Sequence, residues 1–132
     1  MVEEFDLKDK VFLLGDILHA DLPKYVACAD IFIRPSLAEG FGIVFLEAMA
    51  AEVAVIGTPV GGIPDFLKDK ENGLFCEPGN PKDIAEKIKI LIKDKELKDK
   101  LIKNGKKMVL DVYNWDKISQ RLKDVYRKTL NR

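Results

Sequence analysis

The chain has 132 residues, 47% hydrophobic and 33% charged, which is enough for one domain with a real core and too apolar for a disordered chain. Lysine plus arginine and aspartate plus glutamate both number 22, so no net field steers nucleic acid and none is expected as a partner. No apolar run approaches the length of a membrane span, and His19 with two cysteines cannot complete a tetrahedral zinc set, so no metal site is expected.

Val11-Phe12-Leu13-Leu14 is a short apolar run ended by Gly15 and reads as a buried strand. Asp21 to Ala29 carries Leu22, Tyr25 and Val26 at helical spacing, with Asp21 as N-cap and Pro23 in the first turn. Ile31 to Ile33 reads as the second strand, stopped by Pro35. Val44 to Ala51 is a helix of good formers, almost wholly apolar and so expected to be buried. Ala54-Val55-Ile56 is the third strand, Thr58 to Gly62 a loop and Ile63 to Leu67 a short helical turn. Asn72-Gly73 is a tight turn into the fourth strand, Leu74 to Cys76. After Pro78-Gly79-Asn80-Pro81 the pattern is helical throughout: Asn80 caps, Pro81 takes the first position, and Ile84, Ile88, Leu91 and Ile92 form one apolar stripe. Leu97, Leu101 and Met108 begin a second stripe, and Trp115, Ile118, Leu122 and Val125 make a third. Strands alternating with helices predict a three-layer α/β domain of Rossmann-like type, with a parallel sheet of about four strands and C-terminal helices. No repeat or long linker divides it, so residues 1–132 read as a single domain.

The neutral total hides an asymmetry. From Asp30 to Asp65 there are five acidic residues and one basic, Arg34, whereas from Lys82 to Arg132 sixteen basic residues face eight acidic. A lysine-decorated, solvated helix face is the simple reading. Weak attraction to an anionic membrane surface or acceptor, with peripheral membrane contact, is the other. Cys28 and Cys76 have no motif spacing; without a leader-like segment they read as reduced, small apolar residues of a cytoplasmic protein.

In a parallel sheet, ligands bind beyond the carboxyl ends of the strands. There Glu39-Gly40-Phe41-Gly42-Ile43-Val44 leads into the helix that carries Glu47. The order of strand, acidic-glycine loop and helix points backbone N–H groups and a helix N-terminus at one spot, which suits a diphosphate. A carboxylate at each end suits hydroxyl groups, and a ligand with hydroxyls on both sides of a diphosphate is a nucleotide sugar. The loops Arg34–Gly42 and Gly57–Gly62 are expected to line one crevice, with Glu77–Asn80 the third loop that follows a strand. Each residue also has a plainer reading. Glu39 favours a helix dipole. Glu47, inside an apolar helix, is costly to bury unpaired and could be met by a structural partner. Gly61 and Gly62 suit an ordinary turn, and Arg34 suits either phosphate or a surface ion pair. Ser36 reads as a turn hydroxyl without a histidine base, and His19 as an exposed loop residue.

The run Pro35-Ser36-x-x-Glu39-Gly40-Phe41-Gly42, then Glu47-Ala48-Met49-Ala50, Val55, Pro59, Gly61-Gly62 and Pro64, resembles the nucleotide-sugar-binding, C-terminal domain of GT-B glycosyltransferases. Within these it is similar to the retaining enzymes of family 4, the "glycosyl transferases group 1" type, from Val11 onward. The resemblance implies that Glu39 accepts hydrogen bonds from donor-sugar hydroxyls and is the catalytic candidate. It implies that the amides of Gly40, Phe41 and Gly42 approach the sugar, those of Ile43 and Val44 hold the diphosphate, and Glu47 binds the ribose. Gly61 and Gly62 would complete the donor site. The implied reaction is retaining hexosyl transfer to an acceptor hydroxyl, with no metal and no cofactor beyond the donor.

Two departures stand out. Glu52-Val53 occupies the place of the family's Gly-x-Pro, so Glu52 must turn left-handed at about 1 kcal/mol or the helix must end differently. Asp65 likewise replaces a usual Glu. Two preceding βα units, which bring the cations that neutralise the diphosphate, and the acceptor domain are expected to lie outside this chain, leaving it inactive alone. In the family's strand order Val11–Leu14 sits beyond two absent strands. It is therefore expected to pair with Ile31–Ile33 or with another copy, giving a homo-oligomer through the open sheet edge. The alternative function is a non-catalytic half-domain that folds or self-associates. A receiver-type signalling domain is disfavoured, because it needs an acidic cluster where this chain has glycine-rich loops.

Overall fold

Side-chain alternation along three short strands decides which helix lies on which side. The computed structural model describes residues 1–130. Strands β1 (Ile31–Arg34), β2 (Ala54–Gly57) and β3 (Leu74–Phe75) form a parallel sheet in that order. Ile31 lies opposite Ala54, Arg34 opposite Gly57, and Ile56 opposite Leu74. Helix α1 (Leu22–Ala27) precedes β1, α2 (Ile43–Ala50) joins β1 to β2, and α3 (Ile63–Phe66) lies between β2 and β3. Helices α4 (Pro81–Lys93), α5 (Lys95–Val112) and α6 (Trp115–Leu130) follow. Parallel neighbours need crossovers, and both links carry a helix.

The central strand, β2, is buried along its whole length. Val55 joins Phe45, Met49, Ile63, Phe66 and Leu67 in one cluster, against which Phe32 packs. Ala54 and Ile56 join Leu74, Cys76, Leu91 and Leu101 in another, with Ile31 and Ile33 beside them. Period-2 alternation thus places α2 and α3 on one face and α4 on the other. Helix α5 serves both, giving Leu101 to the second cluster and Met108 and Val109 to the first. Where α5 crosses α2, a Cβ on Gly105 would lie 3.1 Å from Met49 Cγ, so the small residue sets the approach. The result is the expected α/β Rossmann-like architecture.

Helix ends follow the sequence cues. The Asn80 side chain accepts from the Lys82 and Asp83 amides, each at 3.1 Å, with Pro81 first in α4. Asp94 Oδ1 accepts from Leu97 N at 2.9 Å, and Asn114 Oδ1 from Asp116 N at 2.9 Å. Helix α2 ends without glycine in a Schellman motif: Val53 N donates to Ala48 O at 3.0 Å and Glu52 N to Met49 O at 3.2 Å. Glu52 accordingly takes φ 62°, the left-handed conformation that its place in the chain demanded, and pairs with Lys106.

Several expectations are corrected. Among the described residues the sheet has three strands, because Val11–Leu14 forms none; Phe12 is 74% and Leu13 86% exposed. Among the described residues β1 pairs only with β2. Helix α1 stands beside its open edge, where Leu22 and Val26 face Phe32, Ile33 and Val44 across a cavity of about 230 Å³. Val11–Leu14 makes no ladder with that edge, and an apolar run without ladder partners is not a strand. Asp21 sits at the N-cap of α1 without capping it; its carboxylate takes Lys24 Nζ at 2.8 Å instead. Tyr25 and Ile92, read as members of apolar helix faces, are exposed, and so is Cys28. The third stripe exists on α6, but no residue of that helix is buried.

Candidate functional site

Two loops at the carboxyl ends of β1 and β2 are joined backbone to backbone. Thr58, fully buried just after β2, donates its hydroxyl to Ser36 O at 2.6 Å. Gly62 N donates to Gly40 O at 2.9 Å. A Cβ on Gly61 would lie 1.7 Å from Glu39 O, and one on Gly62 would lie 2.6 Å from Gly40 O. Gly61 also has φ 55°, which favours glycine, whereas Gly62 has an ordinary φ of −83° and is glycine for space alone. Both glycines therefore do more than permit a turn: they let the second loop lie against Glu39 and Gly40. The third loop touches the first at its rim, where a Cβ on Gly79 would lie 3.9 Å from Leu37 Cδ2. The Glu77 and Asn80 side chains bond to each other there, at 2.7 Å.

Gly42, at φ 87°, turns the chain into α2 and brings no side chain to cap it. The first amides of that helix, on Ile43 and Val44, carry the orphan donors of any helix start. Ile43 itself is exposed. Phe41 is turned toward Phe66 and Tyr113, with ring centroids 5.5 and 5.8 Å away, so aromatic rings from α3 and from the C-cap of α5 support the loop from behind. Tyr113 and Thr58 were not singled out by the sequence. Tyr113 follows the apolar pattern of α5 without a motif, and Thr58 looks like any loop hydroxyl.

The two carboxylates differ. The Glu39 side chain is 14% exposed. Its Oε1 accepts from its neighbour's amide, Gly40 N, at 3.1 Å. Its Oε2 lies 3.0 Å from Arg34 Nη2, an ion pair without hydrogen-bond geometry, so that oxygen is buried and charge-compensated yet receives no donor. Arg34 Nε in turn donates to Ser36 Oγ at 3.3 Å. Glu47 is exposed, on the face of α2 turned away from the core. The expectation of a wholly buried α2, and with it the argument from the cost of burying Glu47, does not hold. Glu47 lines the 230 Å³ cavity with Arg34, and a second of about 330 Å³ with His19, Leu22, Val26 and Ala51. Neither cavity reaches Glu39. Arg34 is what connects the two acids, touching Glu39 and sharing a cavity wall with Glu47. The arrangement offers amides and a helix start, a buried free acceptor on one side, an exposed acid on the other and one cation between them.

Comparisons with known proteins identify the family. The profile of the family described as glycosyl transferases group 1 matches residues 1–108. An uncharacterised glycosyltransferase of Methanocaldococcus jannaschii is 36% identical over 124 residues, covering 94% of this chain and 32% of that protein. Sucrose-phosphate synthase from Thermosynechococcus elongatus superposes with a TM-score of 0.87 at 33% identity, over 98% of this chain and 33% of its own. Anabaena HepE in complex with UDP shares the fold, with a TM-score of 0.88 at 24% identity over 96% of this chain and 35% of its own. The chain thus spans about a third of the length of the curated relatives it matches. On the family profile and these relatives, the chain belongs to the glycosyl transferases group 1 family.

Proposed function

We propose that the chain is the nucleotide-sugar-binding part of a retaining hexosyltransferase of GT-B type. The carrying observation is the start of α2: opened by Gly42, uncapped by any side chain and bordered by a buried Glu39 oxygen that receives no donor. A diphosphate satisfies orphan amides and the helix dipole. A sugar hydroxyl satisfies the Glu39 oxygen, since an unmet buried acceptor costs stability. In this reading Glu39 with the Gly40, Phe41 and Gly42 amides takes the sugar, Ile43 and Val44 take the diphosphate, and Glu47 takes the ribose. Gly61 and Gly62 hold the first loop in place. No metal enters: the helix start meets the leaving diphosphate's charge, and an acceptor hydroxyl attacks from the same face of the sugar. Cations from the two preceding βα units, and an acceptor domain, complete the site.

Calorimetric titration with UDP, GDP and their glucose and mannose esters tests this. Weak binding of at least one pair, lost in Glu47→Ala, supports the reading, and the chain alone should transfer sugar to no acceptor. HepE, which was solved with UDP, makes UDP the first nucleotide to try. A second reading, a half-domain that folds without binding, is favoured by one observation: the cavities that Glu47 lines do not include Glu39. Silence toward every nucleotide would decide for it.

A further inference from the structure

We infer that Arg34 is a positioning residue for the donor sugar, holding the Glu39 carboxylate in its pocket by charge while leaving Oε2 free to accept a hydroxyl hydrogen. The inference rests on the donor-site reading above and adds a residue to it. A carboxylate removed from water needs a cation or donors. Glu39 gets one amide, at Gly40, and one ion pair among the described residues, at Arg34. The 3.0 Å approach of Nη2 compensates the charge without directing a hydrogen at Oε2. Oε2 therefore keeps its hydrogen-bonding capacity unspent at a position closed to water.

Arg34 is itself held. Its Nε donates to Ser36 Oγ, and the Ser36 carbonyl accepts the hydroxyl of fully buried Thr58. Rigidity therefore runs from β2 through Ser36 to the guanidinium and on to the carboxylate. Arg34 ends β1 opposite Gly57, so its main chain is fixed by the sheet register as well. Without the guanidinium, the carboxylate loses its counter-charge and swings toward solvent. That removes the free acceptor at the sugar end. The amides of Ile43 and Val44 at the diphosphate end are unchanged.

The test is the affinity ratio between UDP-glucose and UDP, and between GDP-mannose and GDP, measured by calorimetry on the 132-residue chain. Arg34→Ala should weaken the sugar nucleotide about tenfold, the scale of a hydrogen bond to a charged group, while UDP or GDP stays within about twofold. Arg34→Lys should keep much of the ratio, because the charge remains although the fork does not, and Arg34→Gln should lose it. Equal weakening of nucleotide and sugar nucleotide would make Arg34 a phosphate ligand and overturn the inference, as would no change in either. Should Arg34→Ala fail to fold by circular dichroism, the Lys and Gln variants carry the same comparison, and equal ratios in the two overturn it. Failure of the donor-site reading looks different: the unaltered chain then binds none of the four ligands.

Discussion

Ala54-Val55-Ile56 and Val11-Phe12-Leu13-Leu14 are alike as sequence: short, apolar and followed at once or soon by glycine. The first is the centre of the sheet and almost wholly hidden from solvent, whereas the second lies outside the sheet with Phe12 and Leu13 in water. The contrast repeats among the helices. The α4 stripe buries Leu91, and the equally regular α6 stripe buries nothing. What separates the members of each pair is the presence of neighbours. A strand is completed by the strands beside it and an amphipathic helix by the surface beneath it. The site falls in the completed region, between β1 and α3, where the two loops that build it are joined.

Removing the same ring from each region separates the two most strongly. Phe45 is fully buried and meets Phe32 edge-on at 5.4 Å, so Phe45→Ala should cost about 3–5 kcal/mol in urea unfolding. Phe12→Ala should change stability by about 0.5 kcal/mol or less. Comparable losses would mean that the amino-terminal segment is packed in solution. Next comes Gly61→Ala, whose Cβ collides with the Glu39 carbonyl. Parting the loops should cost about 1–3 kcal/mol and weaken nucleotide binding too, whereas alanine at the roomy Gly40 should do neither. Glu52→Gly should stabilise by up to about 1 kcal/mol, since it relieves a left-handed glutamate and forfeits only an exposed ion pair.

The smallest effect concerns the thiols. Cys28 should react with a disulfide reagent at once and Cys76 only on unfolding. Burial, and then Asp83, raise the Cys76 thiol above its ordinary value near 9.0. The unfolded chain therefore releases that proton first. The stability tied to it is complete below that value and declines as pH rises past it. Cys76→Ala should flatten the fall in unfolding midpoint between pH 8 and 10; an unchanged slope would place the thiol in contact with water.

Much of the completed region was legible in advance. Asn80-Pro81 and Asn72-Gly73 acted locally, and local chemistry is written in adjacent residues. The Glu39 to Glu47 run gave the loop and helix because glycine and acid have few roles at a strand end. Missing from the sequence was what depends on distant chain. Glu47 falls on the side of α2 turned from the core, and Tyr113 reaches Phe41 across seventy residues of chain. Thr58 and Arg34 showed nothing locally of their shared partner, Ser36. Val11–Leu14 misled because hydrophobicity reports what a segment tolerates, and only pairing reports what it does.

Backbone amide resonances of the chain, followed during titration with UDP-glucose and GDP-mannose, report most directly on the donor site. Gly40 to Val44, Gly61, Gly62 and Glu47 should shift first and together with one of these ligands. Shifts confined to the 460 Å³ cavity between α3 and α5, lined by Asp65, Asn104 and Tyr113, with the amides that open α2 unmoved, would contradict the donor-site reading.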